Sequence, residues 1–339
     1  MLKWENYYAP NALNQLFNKG LRAKTAALPF DLNDETYKAG TIFIPAKNQN
    51  KTPEEVHAIV KTLAGQKGVE IQSVKTGLTK KGIDLGSNDF IKIDQPKVAL
   101  LVGNSASGYD AGEVWHLLDQ RMDMQVSQLE INRLARQDLS RYNVLVMVTG
   151  SYGDLGVNGI AKIKKWVQNG GTLIVMRGAI NWAKSNGLAK VEIKKSTAKG
   201  NANQQQRPYM KRGADSGANV IGGAIFETKM DLTHPLSYGF QREYLPVFRR
   251  GTLFLEPAKN AYATPLVYTQ NPLMAGYISD KNLKTLSNSA AVIVSGIGAG
   301  KTICLADNPN FRGFWYGTNK LFLNAVFFGQ TISGSAVER

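Results

Sequence analysis

The chain has 339 residues, of which 43% are hydrophobic, and a formal net charge of +15, enough length for one large core or two smaller ones. No run approaches the roughly 18 apolar residues that cross a bilayer, and the opening Met1-Leu2-Lys3-Trp4-Glu5-Asn6 lacks the apolar stretch of a signal peptide, so a soluble chain with no membrane span is expected. The single cysteine, Cys304, excludes an internal disulfide and a multi-cysteine zinc cluster, and leaves the compartment open.

Taken in chain order, the first element is a helix with Pro10 in its first turn and Leu13, Leu16 and Phe17 at helical spacing, stopped by Gly20. A strand near Leu21–Ala27 and a short buried strand Thr41–Ile44 follow. Thr52-Pro53-Glu54-Glu55 is a capping box with proline at the first helical position, ahead of the apolar stripe Val56, Ile59, Val60 and Leu63. Gly68 then leads into an expected strand Val69–Val74. The order lacks only a leading strand to be a doubly wound unit.

A similar order returns from Lys97. The apolar run Val98–Val102 reads as a parallel-sheet strand. A helix opening at Asp110 carries Val114, Leu117 and Leu118; then come strand Met124–Ile131, strand Val144–Val148, a helix with Ile160, Ile163, Trp166 and Val167, and strand Thr172–Met176. This reads as an internal repeat. Two tandem doubly wound α/β units of flavodoxin or Rossmann type are therefore expected: a smaller one at 1–95, missing its first strand, and a larger one at 96–332. The larger unit carries a polar insertion at 186–219, a β-rich extension with strands near Gly222–Thr228, Thr252–Leu255 and Ala290–Val294, and a closing helix with Leu321, Phe322, Ala325 and Phe328.

Several motifs suggest chemistry. Ser295 to Thr302 ends in the Gly-Lys-Thr of a phosphate-binding loop, but a strand follows where that loop needs a helix N-terminus, so a glycine-rich hairpin turn is expected. His116 and Asp119 lie one helical turn apart, with Glu113 one turn earlier; without a ligand from another element, a surface hydrogen-bond pair is the reading preferred over a metal site. Ser151 follows a buried strand, as a nucleophile does at a sharp elbow, yet no histidine is placed beside it, and a loop-capping role is expected. His234 precedes Pro235 at a strand-to-turn transition. The basic clusters Lys190–Lys199 and Arg207–Arg212 lack the interleaved aromatics on which bases stack; a solvated loop is expected there, not a nucleic-acid surface.

The polar and aromatic cluster from Asp307 to Thr318 follows the strand that contains Cys304. A loop at a strand's carboxyl end is where doubly wound folds bind ligands; a docking surface or a core plug suits the same residues. A crevice there would bring together Asn104, Ser105, Ser107, Tyr109, Glu113, Ser151, Tyr152, Arg177, His234, Asn308 and Arg312, its arginine favouring an anion. No catalytic or metal-ligating set is expected in this chain.

Trp4–Pro10, Ala111–Asp119, Gly222–Glu227, Thr233–Leu236 and Asn308–Asn324 together resemble the C-terminal, non-peptidase region of bacterial zinc carboxypeptidases of the carboxypeptidase A-like kind. The resemblance implies zinc ligands upstream of this chain, in the peptidase domain of the parent, and no cofactor here. It implies an accessory module partnered by that domain, with peptide as a further partner, in an exported, periplasmic or extracellular, protein. The region also resembles the class I glutamine amidotransferase-like fold, with Arg177 or Gly178 standing where that family carries its cysteine.

Overall fold

The computed structural model describes residues 1–194 and 206–339. Helix α1 (Ala9–Asn18) has proline in its first turn and buries Leu13, Leu16 and Phe17. Strands β1 (Ala23–Ala26), β2 (Phe30–Leu32), β3 (Glu35–Tyr37) and β4 (Ile42–Phe43) follow. Helix α2 (Pro53–Leu63) starts on the expected capping box: the Thr52 side chain accepts from the Glu55 N–H, and the Glu55 carboxylate accepts from the Thr52 N–H. Strands β5 (Lys81–Gly82) and β6 (Phe90–Ile93) complete the unit.

These strands form two three-stranded sheets, β4-β1-β6 and β3-β2-β5, with every pair antiparallel. The first unit is therefore α/β but not doubly wound, and it is not a repeat of the second. Parallel pairing needs a crossover of a dozen residues or more, whereas β2 and β3 are joined by Asn33 and Asp34 alone. Both have positive φ, 53° and 60°, as a two-residue hairpin turn of type I′ requires. The expected strand at 69–74 is reduced to Ile71, which bridges Leu2; Leu2 also bridges Ile42.

The second unit begins with β7 (Val98–Val102), α3 (Gly108–Trp115), which continues as a π-helical turn over His116–Arg121, β8 (Val126–Glu130) and β9 (Val144–Met147). Then come α4 (Gly156–Gln168), β10 (Thr172–Met176), α5 (Ala179–Ser185) and α6 (Arg212–Ala218). Strands β11 (Ala224–Met230), β12 (Tyr244–Arg249) and β13 (Leu266–Gly276) precede α7 (Asp280–Leu286). Strands β14 (Ala290–Ile297) and β15 (Gly300–Leu305) and helix α8 (Tyr316–Phe328) close the fold. Residues 195–205, which hold half of the expected basic cluster at 190–199, lie outside the described residues.

One nine-stranded sheet runs β12-β11-β13-β14-β15-β10-β9-β7-β8. Its last five members are parallel, and in the order of the chain they read 2-1-3-4-5, the doubly wound order expected for this unit. The other four extend the sheet antiparallel from β15. Strand β14 turns into β15 through Gly298 and Ala299, so the Gly-Lys-Thr opens β15 behind a glycine-rich hairpin turn. The extension is longer than expected: β12 and β13 went unread. The expected strand at 252–255 is only Leu255, bridging Ile193 and Ala290.

Side chains alternate between the two faces of the central strands. Val98, Leu100, Val144, Val146, Ile174 and Met176 join α3 and α8 on one side, while Ala99, Leu101, Leu145, Met147, Leu173 and Val175 join α4 and α5 on the other. The first layer also takes in Leu2, Trp4, Leu13, Phe17 and Ile42 of the first unit. Helix α8 is buried from Thr318 to Phe328. Trp4 packs edge-on against Phe327 and Phe328 and its indole N–H donates to Asn324 Oδ1 at 2.7 Å. The Asn324 amide in turn donates to the carbonyls of Leu236 and Tyr238, both at 2.8 Å.

Candidate functional site

The switch point of the strand order lies between β7 and β9, where chain connections leave in opposite directions and open a crevice at the carboxyl ends. Two loops wall it. The Ser107 N–H donates to the Thr149 carbonyl at 2.7 Å and the Ser151 N–H to the Ser105 carbonyl at 2.9 Å. They approach so closely that a Cβ on Gly150 would stand 2.4 Å from the Ser105 carbonyl oxygen; glycine is required there. The Ser107 hydroxyl accepts from the Asp110 N–H at 3.3 Å and caps α3.

The crevice has a volume of about 830 Å³ and is lined by Ser107, Tyr109, Asp110, Glu113 and His116 from α3 and its flanks, by Arg177 after β10, by Arg250 after β12, and by Asn308, Phe311 and Arg312 after β15. Four separate segments thus converge at one end of the sheet. Arg177 sits at a left-handed φ of 50°, immediately between β10 and α5. Its Nη1 lies 3.5 Å from Asp110 Oδ2, and both side chains are largely buried. That distance is a loose contact, which leaves most of the guanidinium's donors available.

Glu113 ties the β15 loop to α3. Its Oε1 accepts from the Arg312 N–H at 2.6 Å, and Oε2 accepts from the Asn308 amide. Burial pushes its carboxyl pKa up, the bond from Arg312 opposes that, and the Asp110 charge raises it further. Arg312 is itself held at a left-handed φ of 48°, with its guanidinium exposed above the Phe311 ring. Phe311 stacks on Phe248 with centroids 3.6 Å apart. Behind the loop, Arg249 is 1% exposed and donates to Asp307 Oδ1 and Tyr268 Oη, each at 2.9 Å. The residue before Asn308 is therefore fixed from the core.

A strand, a sharp turn at positive φ and a helix behind it is the geometry that presents a nucleophile in many hydrolases. Here the turn residue is Arg177, which carries no nucleophilic atom at neutral pH. The Ser107 hydroxyl is engaged as a cap. Cys304 is fully buried within β15, and that burial pushes its thiol pKa up. The arrangement supplies three guanidinium groups, one imidazole and two carboxyl groups, of which Glu113 has its pKa raised by burial. Guanidinium groups are donors whose planar geometry matches carboxylate and phosphate oxygens.

Of the residues singled out from the sequence, Ser107, Tyr109, Glu113, Arg177, Asn308 and Arg312 line the crevice. Asn104, Ser105 and Ser151 lie on the laced loops beside it without facing it; Ser151 contributes its backbone. Tyr152 is fully buried and its hydroxyl donates to the Val148 carbonyl at 2.6 Å, so it holds the loop from beneath. His234 lies elsewhere, buried at the turn after β11, where its Nδ1 accepts from the Leu236 N–H at 3.1 Å. The expected His116–Asp119 pair is absent: the π-helical turn changes the spacing, Asp119 accepts from Gln120, and His116 faces the crevice. Asp110, His116 and Arg250 were not foreseen as lining residues. Asp110 and His116 are one turn either side of Glu113, a signal the sequence held; Arg250 had none.

Fold and crevice together define the class: a doubly wound α/β domain with an arginine-rich strand-end site. No protein-family model matches the chain, and no curated protein matches it. Similar solved structures include PurLQS from Thermotoga maritima, 14% identical with a TM-score of 0.44 over 68% of this chain and 97% of that one. A putative ThuA-like protein from Parabacteroides merdae is 14% identical, with a TM-score of 0.41 over 68% and 88%. A putative GMP synthase component from Thermoplasma acidophilum is 8% identical, with a TM-score of 0.39 over 68% and 92%. At these values the strand order carries the fold assignment by itself. No helix among the described residues is long and apolar enough to cross a membrane.

Proposed function

We propose that this chain is a non-catalytic binding module whose strand-end crevice takes a small anionic ligand, a carboxylate or phosphate ester. The observation that carries the reading is Arg177 at the elbow: a cation occupies the position from which a nucleophile would act, with Arg250 and Arg312 around the same opening. The carboxylate of Glu113 is spent on the Asn308 amide and the Arg312 N–H, which leaves the guanidinium groups to the ligand. Calorimetric titration of the chain with citrate, glutamate and inorganic phosphate tests this. Saturable binding that is lost in Arg177→Ala and Arg312→Ala, both still folded by circular dichroism, is expected; affinity unchanged in both variants would sink the reading.

A second proposal concerns setting. Three of the five segments that resemble the tail of a zinc carboxypeptidase are joined in one place, since Trp4 and Leu236 both meet Asn324 of α8. This favours a scaffold role for them, and with it an accessory module in an exported parent enzyme whose zinc is bound upstream. Zinc-dependent peptide hydrolysis by this chain alone, abolished by chelator, would contradict it.

A further inference from the structure

A second cavity lies in the first unit, away from the crevice. It has a volume of about 870 Å³ and opens on the sheet β4-β1-β6, a size that suits a small-molecule ligand. Its floor is apolar: Phe43, Val74 and Leu85 all belong to or pack on one hydrophobic cluster. Its walls carry Arg22, Lys24, Lys47, Lys75 and Lys92, and no carboxylate among the described residues lines it.

Two features make this more than a solvated basic face. The first is register. Lys24 is the cross-strand partner of Phe43 on one side and of Lys92 on the other, so two lysines occupy directly opposed positions next to an aromatic residue. Like charges in that position destabilise a sheet, and an anion between them would reverse the sign of the interaction. Lys92 has Asp94 at 2.5 Å, an exposed pair that solvent screens. The second is construction. Loop 45–50 is pinned to Arg22 in both directions: the Gln49 side chain accepts from the Arg22 N–H at 2.7 Å and donates to the Arg22 carbonyl at 2.9 Å. The Arg22 guanidinium donates to the Asn48 carbonyl and to Asn50 Oδ1. The wall that carries Lys47 is thereby fixed over the cavity.

We propose that this cavity binds an amphiphilic anion, an acyl chain or other apolar body bearing a carboxylate, with the body on Phe43, Val74 and Leu85 and the charge between Lys24 and Lys92. The proposal is independent of the crevice. Decanoate, decanol and inorganic phosphate are the probes, titrated calorimetrically into the whole chain carrying Arg177→Ala and Arg312→Ala, the background in which the crevice no longer takes up an anion. Decanoate is expected to bind one to one, with decanol and phosphate each weaker by about tenfold or more, the share of a charge-assisted hydrogen bond or of the apolar contact. Lys24→Thr should lower decanoate affinity by about tenfold while the unliganded variant melts no earlier than the parent, because the like-charge pair is gone. The proposal is overturned if decanoate shows no saturable binding, if phosphate binds as well as decanoate, or if Lys24→Thr binds it as the parent does.

Discussion

His234 shows how one side chain records its surroundings. Burial of a ring that is 6% exposed pushes its pKa down from 6.5 to about 4 against the opposing charge of Asp231, and its Nδ1 accepts from the Leu236 N–H. Above pH 6.5 the ring is neutral in both folded and unfolded chains, and its contribution is fully present. As pH falls from 6.5 toward 4, the unfolded chain takes up a proton that the folded chain refuses, so stability is lost, up to about 3 kcal/mol. Urea denaturation of His234→Asn across that window should show a flatter pH profile than the parent, since asparagine can still accept from the Leu236 N–H. An unchanged slope would place the acid sensitivity elsewhere. The proline beside it marked this turn in the sequence; the helix α8 that packs on it lies far along the chain and could not be read locally. The same division holds in the crevice, where Glu113 was legible as a helix residue and its partners Asn308 and Arg312 lie 195 and 199 positions away.

At the scale of elements, local chemistry and long-range packing divide the decisions. The capping box of α2, the helix at Pro10 and the apolar runs of β7, β9 and β10 are set by neighbouring residues, and they stand where the sequence placed them. The turn at Asn33 and Asp34 was equally local, and its positive φ values make the unexpected β2–β3 hairpin. The glycine-rich turn between β14 and β15 is decided by packing as well. A Cβ on Gly300 would fall 1.8 Å from the Val167 carbonyl oxygen and 2.5 Å from that of Gly171, both backbone atoms that cannot move aside cheaply. Gly300→Ala should therefore destabilise by about 2 kcal/mol or more, measured as a drop in the urea midpoint at unchanged slope. A neutral result would mean that β15 can slide away from α4. Strands β12 and β13 escaped notice because their burial comes from cross-strand neighbours; β13 buries Leu266 and Tyr268 but is largely exposed beyond them.

The whole molecule is joined by a core layer that runs from Leu2 to Val337 and includes Trp4, Leu13 and Phe17 along with α3 and α8. Lys320 on α8 donates to the carbonyls of Trp4 and Asn6, which ties the chain's first residues to its last helix. The calorimetric unfolding of the full chain should accordingly be a single transition. A version lacking residues 1–95 should bind a hydrophobic dye, because Phe327 and Phe328 lose Trp4 as their cover. Two separated transitions, or a soluble truncated chain that binds no dye, would show that the two units are stable apart.

By itself, the sequence determined the α/β class, the parallel core of the second unit, the starts of α1 and α2 and the identity of Arg177 at the elbow, because periodicity, caps and residue identity are local properties. Only the tertiary structure decided that the first unit is antiparallel, that His116, Arg250 and Asp110 share a crevice with Arg177, and that Lys24 faces Lys92. Those facts depend on which strands pair and in what register, and register is fixed by burial against residues far away in the chain.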